Sequence, residues 1–129
     1  MHYTDQMGQV IFLNALPQRI VSLVPSQTEF LLDIGLQHRV AGITRYCIHP
    51  EAMVTSIPRI GGTKQLHLEK IIALQPDLII GNKEENTEAD IRTLQQHFPV
   101  WVSDISTLED SYRMMEQLGE ITGTSGPAR

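Results

Sequence analysis

The most chemically varied group of side chains in the sequence is Tyr46, Cys47 and His49. Residues two apart in an extended segment point to the same side, so the Cys47 thiol and the His49 imidazole could contact one soft metal ion. Two ligands do not complete a zinc site, because structural zinc is held by four. The pattern leaves three roles open: a metal site, a loop that lines a ligand, and packing.

Two further loops carry polar side chains of interest. In the stretch 61–64, paired glycines allow a ligand to approach the backbone, and Lys64 could neutralise an anion. The longer spacing of a phosphate-binding P-loop is absent. Glu84, Glu85 and Asn86 precede an expected helix, where they could receive a ligand or form only a solvated loop. Nothing sets the separation of the paired acids, so they do not indicate acid/base catalysis.

These loops belong to an alternating pattern of short apolar runs and amphipathic segments. The run from Arg19 to Val24 is typical of a buried parallel strand. Ser26 and Glu29 match the S-x-x-E capping box, so a helix is expected to start there, and Gly35 is expected to end it. The predicted loop between strand and helix therefore contains Ser26 and Gln27.

The same alternation continues to the end of the chain. Further strands are predicted at 40–43, 78–80 and 100–102, and a helix is predicted over 68–74. Thr87 and Thr107 are expected to cap two more helices. The inward face of the last helix is predicted to carry Leu108, Tyr112, Met115 and Leu118. The pattern predicts an α/β fold, a short and mostly parallel sheet with helices on both faces.

In an open parallel sheet, ligands bind beyond the carboxyl ends of the strands. The residues that we predict to bind a ligand share this position in the chain: Ser26, Gln27, Tyr46, Cys47, His49, Lys64, Glu84 and Asn86. Cys47 and His49 are also the candidate metal ligands.

Composition narrows the class of protein. The 129 residues fit one domain, and no stretch approaches the roughly twenty apolar residues that span a bilayer. A formal charge of −5, with scattered lysines and arginines, argues against nucleic acid as the main partner. The single cysteine excludes an intrachain disulfide. The first twenty residues lack the pattern of a secretory leader, so the protein is expected to be cytoplasmic or to have lost its leader.

The segment from Arg19 to Gly35, RIVSLVPSQTEFLLDIG, resembles the substrate-binding proteins of vitamin B12 and ferric-siderophore ABC importers. The stretches 39–43, 68–80 and 100–102 follow in the order of that family's N-terminal lobe. The resemblance covers residues 5–123 and implies a Rossmann-like lobe of the class III periplasmic-binding-protein fold. In that family a long helix joins two lobes, and the ligand lies in the cleft between them.

The resemblance also implies roles for particular residues and partners. Glu29 matches the glutamate that pairs with arginines of the ABC importer permease, and the loop of Tyr46 matches one that lines the ligand. The expected protein is not an enzyme and has no built-in cofactor. Its expected ligand is a metal chelate such as cobalamin, haem or a ferric siderophore, enclosed with a second lobe or a second copy of the chain. The expected location is periplasmic or extracytoplasmic if a leader has been removed.

The pattern of residues and the family resemblance together predict the domain organisation. Residues 1–18 are expected to form a hairpin or arm, with a turn at 5–8, and residues 19–123 the ligand-binding lobe. Residues 124–129 are expected to begin the helix between lobes, which would mean that the chain is truncated.

Two alternatives remain at this stage. A cytoplasmic metal-chelate carrier would use Cys47 and His49 as ligands. A small enzyme would use Cys47 as a nucleophile, although no third group to orient the nearby histidine is evident.

Overall fold

The computed structural model describes residues 1–48 and 50–124. The strands are β1 (His2–Thr4), β2 (Val10–Phe12), β3 (Ile20–Ser22), β4 (Val40–Gly42), β5 (Gly61–Gly62), β6 (Gln65–Leu66), β7 (Leu78–Asn82) and β8 (Val100–Ser103). The helices are α1 (Pro25–Asp33), α2 (Glu51–Val54), α3 (Leu68–Leu74), α4 (Glu88–Gln95) and α5 (Leu108–Thr122), with a 3-10 turn at Gln37–Arg39.

The central sheet has four strands in the order β4-β3-β7-β8, and every neighbouring pair is parallel. Because the strands share one direction, all four end at the same side of the sheet, which we call the carboxyl edge. The opposite side, where the strands begin, is the amino edge. This arrangement confirms the predicted parallel sheet.

Successive residues of the strands face two separate helical layers, as the pleat requires. One face of the sheet packs on α1 and α5 through a cluster that includes Ile20, Leu31, Ile80, Trp101 and Leu118. The other face packs on α3 and α4 through Val21, Ile71, Ile79, Leu94 and Val102. Both faces are therefore apolar, which explains the nearly continuous apolar runs in the sequence and confirms the expected helices on both faces.

An antiparallel hairpin of β1 and β2 covers the free side of β8. The Gln6 N–H donates to the Val102 carbonyl at 3.1 Å, and the Val102 N–H donates to the Asp5 carboxylate at 3.1 Å. These bonds occupy backbone groups that an edge strand would otherwise expose. The predicted turn at 5–8 is present; the boundary at residue 18 stays a prediction, and residues 125–129 of the predicted tail lie outside the described residues.

Helix α1 starts differently from the prediction. Pro25 takes the first helical position and extended Val24 is the N-cap, with no side-chain capping bond. The predicted Ser26–Glu29 capping box is therefore wrong. Proline fits the first position because its missing N–H has no partner there in any case, so the helix begins directly from the strand end. Gly35 follows the helix with φ 89°, which confirms the predicted stop.

Helix α5 starts as predicted but buries a different face. Thr107 accepts from the Asp110 N–H at 3.1 Å, and the Asp110 carboxylate accepts from the Thr107 N–H at 3.2 Å. The pKa of Asp110 lies below its usual 3.8, chiefly because the Ser106 N–H donates to the carboxylate. The hydrogen bonds with Thr107 lower it further. Leu118 is buried as expected.

The rest of the predicted inward face of α5 needs correction. Leu108 and Tyr112 are exposed by 68% and 58%, whereas Met114 and Ile121 are buried. Met115 is half-buried against the core. Two neighbouring apolar stripes share this helix, and contact with the sheet, rather than helical spacing, decides which one is buried. No helix within the described residues has the length and apolar character needed to cross a membrane.

Candidate functional site

The predicted ligand loops meet at the carboxyl edge. Beyond β4, the chain at residues 58–61 runs beside Ile43: the Ile43 N–H donates to the Pro58 carbonyl at 3.0 Å, and the Ile60 N–H to the Ile43 carbonyl at 2.9 Å. The Arg45 N–H then donates to the Gly61 carbonyl at 2.9 Å. The β5–β6 hairpin is thereby brought beside the loop after β4.

Asn86 connects three of these loops. Its side chain is 3% exposed, and its Nδ2 donates to the Leu23 carbonyl at 3.2 Å and to the Thr63 carbonyl at 3.0 Å. Its Oδ1 accepts from the Asn82 N–H at 2.9 Å. One buried amide therefore fixes the positions of the loops that follow β3, β5 and β7.

A second buried group connects β7, β8 and α1. Asn82 Nδ2 donates to Ser103 Oγ at 2.9 Å, and Gln27 Nε2 donates to the same hydroxyl. Ser103 Oγ donates to the Gly81 carbonyl at 3.2 Å. Gln27 Oε1 is buried without a hydrogen-bond partner among the described residues. These neutral side chains make a rigid support without placing a charge in the interior.

The exposed rim above this support is basic and partly aromatic. Arg45 Nη2 donates to the Tyr46 hydroxyl at 3.1 Å and to Gln65 Oε1 at 3.3 Å. The Arg45 guanidinium carbon lies 5.1 Å from the centre of the Tyr46 ring. Lys64 Nζ donates to the Glu84 carbonyl at 2.5 Å. We call the exposed side chains of Arg45, Tyr46, Ile48 and Lys64 the rim.

The rim combines apolar surface with positive charge. Tyr46 and Ile48 are 53% and 62% exposed. Further along, Lys83 and Asp104 form an ion pair at 3.7 Å, which contributes little stability because both groups are partly solvated. Glu84 is exposed beside Lys64. The arrangement can present a flat apolar contact together with cationic hydrogen-bond donors.

The structure divides the predicted ligand residues into two groups. Ser26, Tyr46, Lys64 and Glu84 are exposed at the carboxyl edge. Gln27, Cys47 and Asn86 are buried, and their predicted contact with a ligand stays a prediction. Gln27 and Asn86 position the loops from beneath, because amides both donate and accept and can be buried when bonded. Glu29 is exposed on α1, and its predicted role in docking remains a prediction.

Cys47 faces the interior for a local reason. Its N–H donates to the Thr44 carbonyl at 3.2 Å, which closes a turn, and Arg59 Nη1 donates to the carbonyls of both Thr44 and Cys47. The turn places the thiol 3.5 Å from Thr44 Oγ1, 3% exposed, within the apolar cluster. A buried thiol is poorly placed to bind a metal or attack a substrate.

The metal hypothesis gains no support from the described part of the chain. No group of three His, Cys, Asp or Glu side chains there could hold a metal ion. His49 lies outside the described residues, so its pairing with Cys47 stays a prediction.

Sequence reasoning missed Arg45. Arg45 directly precedes Tyr46, in the same loop as the Cys47 thiol and the His49 imidazole on which the prediction rested. A cation directly before an exposed aromatic residue was the available signal, because the two side chains can stack.

The chain is similar to known proteins over most of its length. The family model described as "Periplasmic binding protein" matches residues 20–128. A vitamin B12-binding protein of Vibrio campbellii is 33% identical over 110 residues, covering 84% of this chain and 40% of the relative. An uncharacterised ABC transporter substrate-binding lipoprotein of Bacillus subtilis is 29% identical over 129 residues, covering 96% of this chain and 40% of the relative.

The fold also matches solved structures. A periplasmic haem-binding protein from Pseudomonas aeruginosa superimposes with a TM-score of 0.80 at 29% identity, covering 88% of this chain and 41% of that protein. The chain spans about two fifths of the length of the curated relatives it matches, at 40% for both of those described. That share is consistent with a single lobe.

The family is one of binding proteins rather than of enzymes, as the sequence resemblance implied. Its model covers most of the chain, and the parallel sheet with helices on both faces supplies the corresponding fold. The chain belongs to the periplasmic binding protein family.

Proposed function

We propose that the chain is one lobe of an ABC importer's substrate-binding protein and captures a metal chelate on the rim. The observation that carries this proposal is the set of exposed side chains Arg45, Tyr46, Ile48 and Lys64 above a buried, hydrogen-bonded support. A site of this kind holds its contact groups in place before the ligand arrives, which lowers the entropic cost of binding.

The chemistry of the rim favours a metal macrocycle among the chelates. The relatives at about 30% identity include a vitamin B12-binding protein and a haem-binding protein, and both ligands are broad metal macrocycles with polar substituents around their periphery. Tyr46 and Ile48 would pack against the flat part of such a ligand. Arg45 and Lys64 would bond to peripheral carboxylate or amide oxygens.

The remaining partners follow from the same proposal. The rim is open on one side, so enclosure of the ligand would need a second lobe, or a second copy of the chain. Glu29, exposed on α1, is available to bind arginines of the importer permease. Delivery to a permease implies an extracytoplasmic location. The buried Cys47 thiol removes support from the cytoplasmic carrier and the cysteine enzyme.

Titration of the natural full-length protein with cyanocobalamin, haemin and a ferric catecholate siderophore tests the proposal. We expect calorimetry to show micromolar or tighter binding for one of the macrocycles, about −8 kcal/mol or better. Arg45→Ala and Lys64→Ala are each expected to weaken it about tenfold, the loss of one charge-assisted hydrogen bond.

Lys70→Ala is the matched control, because Lys70 is an exposed lysine on α3, away from the rim. It should leave the affinity unchanged. Absence of heat with all three chelates, or equal losses from Lys70→Ala and Lys64→Ala, would contradict the proposal.

A further inference from the structure

A second concave surface lies at the amino edge of the sheet, opposite the rim. It has a volume of about 380 Å³ and is bounded by the chain before β3, the start of β4, the end of α3 and the segment after α2. Clefts of this size accommodate small organic molecules. The ligand proposed above does not reach this side, so the cleft is not used by the proposed function.

The charges around this amino-edge cleft differ from those of the whole chain. Its basic lining residues are Arg19, His38 and Arg39, and no aspartate or glutamate is among the described residues that line it. The chain as a whole carries a formal charge of −5. A local excess of positive charge on an acidic protein favours an anionic ligand, since field lines concentrate in a cleft.

One nitrogen of the Arg39 guanidinium lacks a hydrogen-bond acceptor among the described residues. Its Nε donates to the Pro17 carbonyl at 2.8 Å, whereas its Nη2 is buried and bonds to none of the described residues. A buried charged donor without an acceptor is costly. Rotation of the guanidinium towards an anion in the cleft would supply that acceptor.

The Arg19 side chain is fixed at the border of the amino-edge cleft. Its Nε and Nη2 both donate to the Leu74 carbonyl, at 2.8 and 2.6 Å, which holds the side chain in one orientation. Asp77 is hydrogen-bonded to the chain just before β3. Its carboxylate accepts from the backbone N–H groups of Gln18 and Arg19 at 2.7 and 2.8 Å. Asp77 is therefore engaged with backbone donors, and neither guanidinium pairs with it among the described contacts.

The rest of the cleft is mainly polar, with an apolar part that a small hydrocarbon group could contact. Val40, Met53, Ile57 and Leu74 contribute to its lining beside the basic side chains. We propose that the amino-edge cleft binds a small organic anion, whose carboxylate or phosphate group pairs with Arg39 and Arg19 while its apolar part contacts Met53 and Ile57. The site is separate from the rim and does not depend on the proposed function.

Nuclear magnetic resonance on the full-length protein tests this site with defined probes. Phenyl phosphate, benzoate and neutral benzyl alcohol are added in separate titrations while backbone amide signals of residues 37–41 are followed. We expect saturable shifts with at least one of the two anions, at dissociation constants on the order of 0.1–1 mM for ligands of this size. Comparison of phosphate and carboxylate identifies the preferred head group.

Arginine-to-lysine variants keep a cation that can still donate to the local carbonyl, so the fold should survive, and the melting temperature checks this. Arg39→Lys is expected to weaken binding about tenfold through loss of the planar fork, and a double variant with Arg19→Lys more. Arg113→Lys is the control, because Arg113 is an exposed arginine paired with Glu109 on α5. The proposal is overturned if neither anion gives saturable shifts up to about 20 mM, if benzyl alcohol gives equal shifts, or if the affinity is unchanged in the double variant.

Discussion

The two edges of the sheet use different side chains for similar structural tasks. At the carboxyl edge, neutral Asn86, Asn82 and Ser103 connect neighbouring loops and are buried. At the amino edge, charged Arg19 and Asp77 bond to the backbone and remain at the surface.

The difference has a physical cause. A neutral amide can be fully buried at moderate cost once it is bonded, whereas a buried charge loses far more solvation. The carboxyl edge can therefore be rigid beneath a surface that stays free for a ligand. At the amino edge, Arg19 and Asp77 stay near water, which leaves the Arg19 cation accessible in the cleft. Substitutions that separate the two kinds of support test this comparison.

The largest effect is expected from Asn86→Ala. The change removes three hydrogen bonds and leaves the Leu23 carbonyl and the Asn82 N–H buried without a partner. We expect the free energy of unfolding to fall by about 3 kcal/mol, since each such group costs about 1–3 kcal/mol. Urea unfolding measures the loss, and Asn14→Ala, at an exposed asparagine, is the control. Similar small losses for both would show that the buried amides do not support the edge.

A smaller effect is expected from Gly61→Ala. Gly61 has φ 104°, and an added Cβ would lie 2.5 Å from the Gln65 carbonyl oxygen, a backbone atom that can move only with the β5–β6 hairpin. Gly8 has φ 81° but open space around it. We expect losses of about 3 kcal/mol at most for Gly61→Ala and about 1 kcal/mol for Gly8→Ala. Thermal unfolding compares them; equal losses would mean that close approach at the hairpin contributes nothing.

The smallest effect distinguishes two helices that both begin at the carboxyl edge. Thr107→Ala removes the side-chain cap of α5 and is expected to cost about 1 kcal/mol. Ser26→Ala should change stability by less than about 0.5 kcal/mol, because Ser26 is exposed and α1 has no side-chain cap. Chemical denaturation of both variants measures the difference. A larger loss from Ser26→Ala would restore the capping box that the structure does not contain.

Sequence reasoning located the loops of the candidate site more reliably than the side chains within them. The apolar runs at 20–24, 78–80 and 100–102 indicated buried parallel strands, and parallel strands place their following loops together. The same reasoning could not tell that Cys47 faces inward while its neighbour Tyr46 faces outward. That choice depends on Arg59, twelve residues beyond Cys47, which bonds to the carbonyls of the turn.

The local pattern of residue types by itself determined the alternation of strands and helices and the cap at Thr107, and it predicted the edge for a ligand site. These features depend on short-range spacing and on the direction of the chain. Tertiary structure alone decided which stripe of α5 is buried, which amides lie beneath the rim, and that two arginines share a cleft at the amino edge. Such features depend on contacts between residues far apart in the chain. Their free energy comes from packing and desolvation, which no local pattern records.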